Sequence, residues 1–317
     1  MIEQGTRLGT LNAAAVNLAN DAATADILDE LSRAGIRAIV LKGPPLKRWL
    51  YAAAVPRPSM DIDLLVRWTD LEIIGAALNR VGWRYLGIDA VGDERPHCHV
   101  WERRDNGMLL ELHRSIAGVG VPGDRAWEIL SDKTEAVRID GVTAEVLALP
   151  ARAMHVALHA AQHGPALGRT LEDLDLALER LPEQVWRDAA SVAGTLQALP
   201  AFVAGLGLAD KGQDLIERLG VSVEIPTEIL VRARGAPPTA EGLAWLLGRP
   251  GALAKAKFVL RHVVPPVGYM RVWSRLARRN RLGLAMTYAW RPFWLLLRLR
   301  PALAAWVGAR RKTKSAD

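Results

Sequence analysis

The amino-acid sequence predicts an α+β protein, with a small mixed β-sheet flanked by helices and then a mostly helical region. Three observations carry this prediction. Short apolar runs of strand character at 36–41, 61–66 and 107–113 alternate with helical periodicity through the first half of the chain. Two more runs, 135–139 and 143–149, are joined by Asp140-Gly141, a dipeptide that favours a two-residue hairpin turn. From Pro150 onward apolar residues recur at helical spacing almost to the end.

Bulk properties fit a globular chain of two domains. Its 317 residues are 50% hydrophobic, which is ample for a packed core. The single cysteine, Cys98, excludes an intramolecular disulfide, and no basic-led apolar leader follows Met1, so the expected location is the cytoplasm. The formal net charge of +7 is unevenly placed. From Arg271 onward twelve lysines and arginines accompany one acid, Asp317, a net of +11 that leaves −4 for residues 1–270. A core domain that grips a phosphate backbone usually shows a basic face, so nucleic acid is disfavoured as a substrate. We expect an N-terminal helical extension (1–25), a sheet-bearing domain (26–149), a helical domain (150–268) and a basic, tryptophan-rich tail (269–317).

Taken in order, Thr10 to Arg33 has apolar residues at helical spacing and predicts one or two helices ending at Gly35, with a packing role. Ile36 to Leu41 is a short buried strand, and Gly43-Pro44-Pro45 turns the chain into a helix carrying Leu46, Trp49 and Leu50. Lys42 stands at this strand-to-helix junction, where an anion can bind; a solvated lysine is the plainer alternative. Arg57, ahead of Pro58 and Ser59, could close bidentately on a phosphate.

Strand 61–66 follows. Side chains alternate along a strand, so Asp61 and Asp63 share one face while Ile62, Leu64 and Val66 anchor the other. Two adjacent carboxylates repel and raise one another's pKa unless a cation joins them, and Mg²⁺ accepts such oxygens. The alternative is that Asp61 belongs to the preceding turn and Asp63 is solvated. Met108 to His113, after the turn signal Asp105-Asn106-Gly107, is a second strand on which Glu111 and His113 share a face. If the two strands are neighbours, Glu111 brings a third carboxylate to the pair.

These residues together resemble a known family. Lys42-Gly43, Arg57, Asp61-Ile62-Asp63-Leu64-Leu65-Val66 and Glu111-Leu112-His113, in this order and at about this spacing, are similar to the uncharacterised nucleotidyltransferase family of the polymerase-β-like nucleotidyltransferase superfamily. The resemblance runs from about residue 26 to about 190, and more loosely beyond. Where the superfamily usually has Gly-Ser, this chain has Lys42-Gly43-Pro44-Pro45.

The resemblance implies that Asp61 and Asp63 hold Mg²⁺ bridging the phosphates of a nucleoside triphosphate such as ATP, and that Glu111 completes a two-ion site and helps activate the acceptor. It implies attack on the α-phosphorus with loss of pyrophosphate. Lys42, Gly43 and Arg57 would bind the nucleotide, with His113 a supporting partner or an acceptor contact. The acceptor is a small molecule, a peptide or a protein. The altered Gly-Ser position leaves a second reading, a non-catalytic protein of the same fold that binds a nucleotide or a partner.

Between and beyond these strands, Thr69 to Val81 is an amphipathic helix stopped by Gly82, and Trp83 to Leu86 and His97 to Arg103 are strands. His97 and His99 have ligand-like spacing, but no matching Cys or His set accompanies them, so surface or pocket roles are preferred to zinc. Trp127 to Asp132 predicts a short helix. His155, His159 and His163 recur every fourth residue; a polar stripe lining the cleft between domains is the preferred account, with plain exposure and a metal site as alternatives. The Glu of a zinc-protease motif is missing from this run. By resemblance, His159, His163 and Asp173 belong to the acceptor region.

Helices continue over 186–208 and 212–219, with a loop at Gly235-Ala236-Pro237-Pro238. Residues 289–307 are apolar but interrupted by Arg291, Arg298, Arg300 and Pro301, and one central charge costs about 2.5–3.5 kcal/mol on insertion scales. A membrane span is disfavoured. A helix docked on the helical domain, its arginines reaching outward, is preferred to one lying on an anionic membrane surface.

Overall fold

The computed structural model describes residues 2–51, 57, 59, 61–86 and 98–313. They divide into two compact units, the first drawn from 2–86, 98–155 and 176–197 and the second from 156–175 and 198–313. His97 and the start of its expected strand lie outside the described residues.

The first unit is built on α1 (Ile2–Arg33), β1 (Ala38–Val40), α2 (Pro44–Leu50), β2 (Asp61–Val66), α3 (Leu71–Arg80), β3 (Trp83–Tyr85), β4 (Cys98–Arg103), β5 (Leu109–His113), α4 (Gly123–Asp132), β6 (Thr134–Ile139) and β7 (Val142–Leu147). Parts of α5 (Leu149–His163) and α6 (Gly168–Arg180) and all of α7 (Glu183–Thr195) complete it. Its seven strands form one sheet in the order β3-β4-β5-β2-β1-β7-β6. The β1/β7 and β2/β5 pairs are parallel and the rest antiparallel, so the sheet is mixed as expected. The expected hairpin turn is present: Asp140 and Gly141 have φ of 42° and 83°, the pair of positive values a type I′ turn requires.

Strand alternation sorts the sheet into two faces. Ile62, Leu64 and Val66 of β2 join Leu110 and Leu112 of β5, Val40 of β1 and Trp101 of β4 in one apolar layer. Ile27 and Leu31 from α1 and Ile74 and Leu78 from α3 close over this layer. The opposite face of β2 and β5 is thereby left for the acidic side chains. Helix α1 runs unbroken from Ile2, earlier than Thr10, and ends where Gly35 takes φ +73° and the Ile36 N–H reaches back to the Leu31 carbonyl at 2.9 Å.

The second unit is helical: α8 (Leu199–Leu206), α9 (Asp210–Leu219), α10 (Thr227–Ala233), α11 (Pro238–Gly248), α12 (Ala252–Val263), α13 (Val267–Trp273), α14 (Arg275–Arg279) and α15 (Arg281–Thr313), with portions of α5 and α6. A Cβ on Gly205 would stand 1.9 Å from the Ala157 carbonyl oxygen, so α8 meets α5 at backbone contact and only glycine fits there.

The tail docks on its own unit, as preferred: Ala302 and Ala309 of α15 pack with Val231 and Ala240. Arg291 departs from the expectation of outward-reaching arginines. It is 3% exposed, its Nε donates to the His262 carbonyl at 2.7 Å, and its guanidinium lies over the Tyr269 and Trp273 rings. A carbonyl and two ring faces replace the water that a buried cation loses. No helix among the described residues is long and apolar enough to cross a membrane.

Candidate active site

Strands β2 and β5 create the site by their register. They pair in parallel with Asp63 opposite Glu111 and Leu65 opposite His113, so the two acidic stretches lie side by side on the face away from the apolar layer. Asp61, Asp63 and Glu111 each offer a carboxylate oxygen, all within 4.8 Å of one another. The third carboxylate therefore joins the pair. Asp63 is not solvated: it is 1% exposed.

Asp63 is the centre of the charge arrangement. Its Oδ1 accepts from Lys42 Nζ at 3.0 Å and from His113 Nε2 at 2.8 Å, and the same His113 nitrogen stands 3.4 Å from Glu111 Oε2. A carboxylate anion can only accept, so this imidazole nitrogen carries a proton. Lys42 reaches Asp63 because β1 neighbours β2, and the Leu41 N–H extends that ladder to the Asp63 carbonyl at 3.0 Å. Asp63 Oδ2, by contrast, is buried with no hydrogen-bond partner. A buried anionic oxygen left so is costly, unless a cation takes it.

The titration tendencies follow from this geometry. Burial alone would raise Asp63, but the Lys42 ammonium and the His113 bond hold it well below the usual carboxylate range. Burial and the neighbouring Asp63 charge raise Asp61, with Lys42 opposing. The hydrogen bond from His113 lowers Glu111 against the effect of burial. Burial opposes the charge on both His113 and Lys42, yet the surrounding carboxylates raise both. The cluster thus contains three acids, two cationic partners and one buried carboxylate oxygen without a hydrogen bond. Such a set fits a hard divalent ion such as Mg²⁺.

The remaining sequence candidates are placed as follows. Gly43 precedes α2 with φ +77°, and Arg57 is buried with its guanidinium 5.7 Å from the Tyr51 ring. In the second unit, His159 and His163 meet edge to face at 4.7 Å, and Asp173 is 1% exposed. His155 corrects the expected polar stripe: it is buried, and burial and then the Lys42 charge push its pKa down to about 3, despite a hydrogen bond to the Leu41 backbone. His159 and His163, further along α5, are half-buried by contrast. His99 lies against Trp68 and Tyr85, at 4.6 and 4.8 Å, in aromatic packing.

Sequence reasoning missed two features. Asn17 and Asn20 of α1 are buried and pin the approach to β2: Asn17 Oδ1 accepts from the Ser59 N–H at 3.2 Å and Asn20 Nδ2 donates to the Ser59 carbonyl. Ser59 Oγ in turn donates to the Asp61 carbonyl at 3.1 Å, so α1 helps set Asp61. Two asparagines three apart among alanines and leucines were the available signal. These residues, with Gly43, Lys47 and Tyr51, border a pocket of about 320 Å³. The second feature is Cys98, whose sulfur joins Glu111 and His113. Burial and the Glu111 and Asp63 charges push its thiol up to about 12, so it stays protonated.

A family model described as uncharacterised nucleotidyltransferase matches residues 7–212. No curated protein sequence matches. Among solved structures, the crystal structure of ANT(2")-Ia in complex with adenylyl-2"-tobramycin is similar at TM-score 0.41 and 18% identity, covering 55% of this chain and 97% of that one. A solution structure of ANT(2'')-Ia matches at TM-score 0.40 and 18% identity over 55% and 91% of the two chains. An antigenic nucleotidyltransferase-like protein from Paracoccidioides brasiliensis matches at TM-score 0.34 and 12% identity over 56% and 93%.

Proposed function

The chain belongs to the uncharacterised nucleotidyltransferase family, and we propose that it moves a nucleoside monophosphate from a nucleoside triphosphate to a small-molecule, peptide or protein acceptor, releasing pyrophosphate. The observation that carries this reading is the gathering of Asp61, Asp63 and Glu111, whose carboxylates offer oxygens within 4.8 Å of one another, while Lys42 and His113 hold one oxygen of the buried Asp63. A purely structural ion pair between Lys42 and Asp63 would have no reason to gather two further acids beside it.

Asp61, Asp63 and Glu111 would hold Mg²⁺, two ions by the family resemblance. When bound, such ions neutralise charge on the entering and leaving oxygens of the transferred phosphoryl group. The chain's own residues prepare the site. Lys42 and His113 keep Asp63 ionised, and His113 keeps Glu111 ionised, so the acids are ready for a cation at neutral pH. Asp61 carries the repulsion that a cation would relieve. We assign Lys42, Gly43 and Arg57 to the triphosphate, Glu111 to acceptor activation, and His159, His163 and Asp173 to acceptor recognition.

The test is calorimetric titration of ATP, GTP, CTP and UTP, with and without Mg²⁺, into the wild-type protein and an Asp61→Ala, Asp63→Ala double variant. Magnesium-dependent binding of at least one nucleotide, lost in the variant, is expected. Binding that ignores both magnesium and the substitutions would overturn the assignment.

A further inference from the structure

The tail's charge and apolar residues are not used by the proposed chemistry. Helix α15 buries one side, through Thr287, Arg291, Ala302 and Ala309, and leaves a large apolar stripe on another. Leu282, Met286, Trp290, Phe293 and Leu297 are 70, 54, 52, 61 and 70% exposed. Their spacing of four, four, three and four puts them on one helical face. Leu253, Leu260 and Val264, on and just after α12, are 70, 64 and 56% exposed and repeat the pattern. Exposed apolar residues so arranged mark an interaction surface.

Charge identifies the partner. From residue 242 to 316 the chain has sixteen lysines and arginines and no acid. Arg278 and Arg279 at the end of α14 and Arg281, Arg298 and Arg300 of α15 are exposed. A second copy of this chain would set like charge against like charge. A nucleic acid would satisfy the arginines but not the row of leucine, methionine and aromatic side chains. An anionic lipid surface satisfies both, because its headgroups take the guanidinium groups and its acyl boundary takes the apolar stripe. Tryptophan, with an apolar ring and a polar N–H, is suited to that boundary.

We propose that the exposed face of α15, with α12, docks the protein on the surface of an anionic membrane without crossing it. The experiment is co-sedimentation of the full-length protein with vesicles of phosphatidylcholine alone and of phosphatidylcholine with about a third phosphatidylserine. Pelleting with the anionic vesicles, weakened by salt, is expected. An Arg278→Ser, Arg279→Ser, Arg281→Ser variant should partition about a hundredfold less, at roughly a factor of five for each basic residue removed. A Trp290→Ser, Phe293→Ser, Leu297→Ser variant should lose at least about tenfold. These side chains are exposed, so both variants should keep wild-type circular dichroism and melting. Wild-type protein left in the supernatant, or pelleting equal for all three proteins, would overturn the proposal. So would a dimer in solution that the apolar variant abolishes, which would give the face to a second copy.

Discussion

The strand pair β2/β5 and the helix α15 treat charge and apolar surface in opposite ways. In the first, a carboxylate is taken almost wholly out of water, with Lys42, His113 and two further acids around it. In the second, most arginines stay in solvent while leucine and aromatic side chains lie exposed beside them. Each arrangement costs free energy in the isolated chain, since crowding buried carboxylates and exposing apolar area are both unfavourable. The difference lies in the proposed partner: in the function proposed above a small hard cation relieves the first, and in the proposed docking a broad apolar, anionic surface relieves the second. Arg291, buried under two rings and a carbonyl, is the point where α15 borrows the first strategy.

The largest expected effect breaks the first region. Asp63→Asn keeps the shape but removes the anion, and turnover should fall on the order of a thousandfold in a nucleotide-transfer assay, with circular dichroism unchanged. Next, Lys42→Ala leaves a buried carboxylate with one cationic partner fewer and should lower unfolding free energy by about 3 kcal/mol in urea titrations. Both variants break the same ion pair, so urea titration of each alongside the assay apportions the loss between chemistry and stability.

A pH experiment sharpens the same contrast. His155 has a folded pKa of about 3, below its unfolded value, so between about pH 6.5 and 3 the unfolded chain binds a proton that the folded chain refuses. Stability should therefore fall by up to about 1.4 kcal/mol per pH unit of acidification in that window, with no contribution above it. His155→Gln should flatten the slope in thermal melts from pH 7 to 4. Asp63, also depressed, adds stability that is fully present above its unfolded pKa of about 4 and is lost as pH falls from there through its lower folded value. The smallest effect belongs to the second region: Leu282→Ser, at 70% exposure, should change unfolding free energy by no more than about 0.5 kcal/mol in the same measurements.

Much of the first region was legible from local pattern. Alternation placed Asp61 with Asp63 and Glu111 with His113, and Asp140-Gly141 announced the hairpin. The neighbouring of β2 and β5 was a conditional, because the strands are separated by a helix and two further strands. His155 was read as part of a polar stripe since periodicity reports a helical face but not what covers it. Asn17 and Asn20 passed as packing residues because their partner, Ser59, is about forty positions away.

The sequence by itself determined the element types, the pairing of acids on common strand faces, the basic tail and the improbability of a membrane span. These depend on period, turn chemistry and composition, all readable within a few residues. Only tertiary structure decided that Asp63 faces Glu111 in register, that Lys42 and His113 converge on one oxygen, that Arg291 is buried, and that Leu282, Met286, Trp290, Phe293 and Leu297 are not covered. Those outcomes depend on which distant segments meet, and burial and electrostatic coupling are properties of the meeting rather than of either segment.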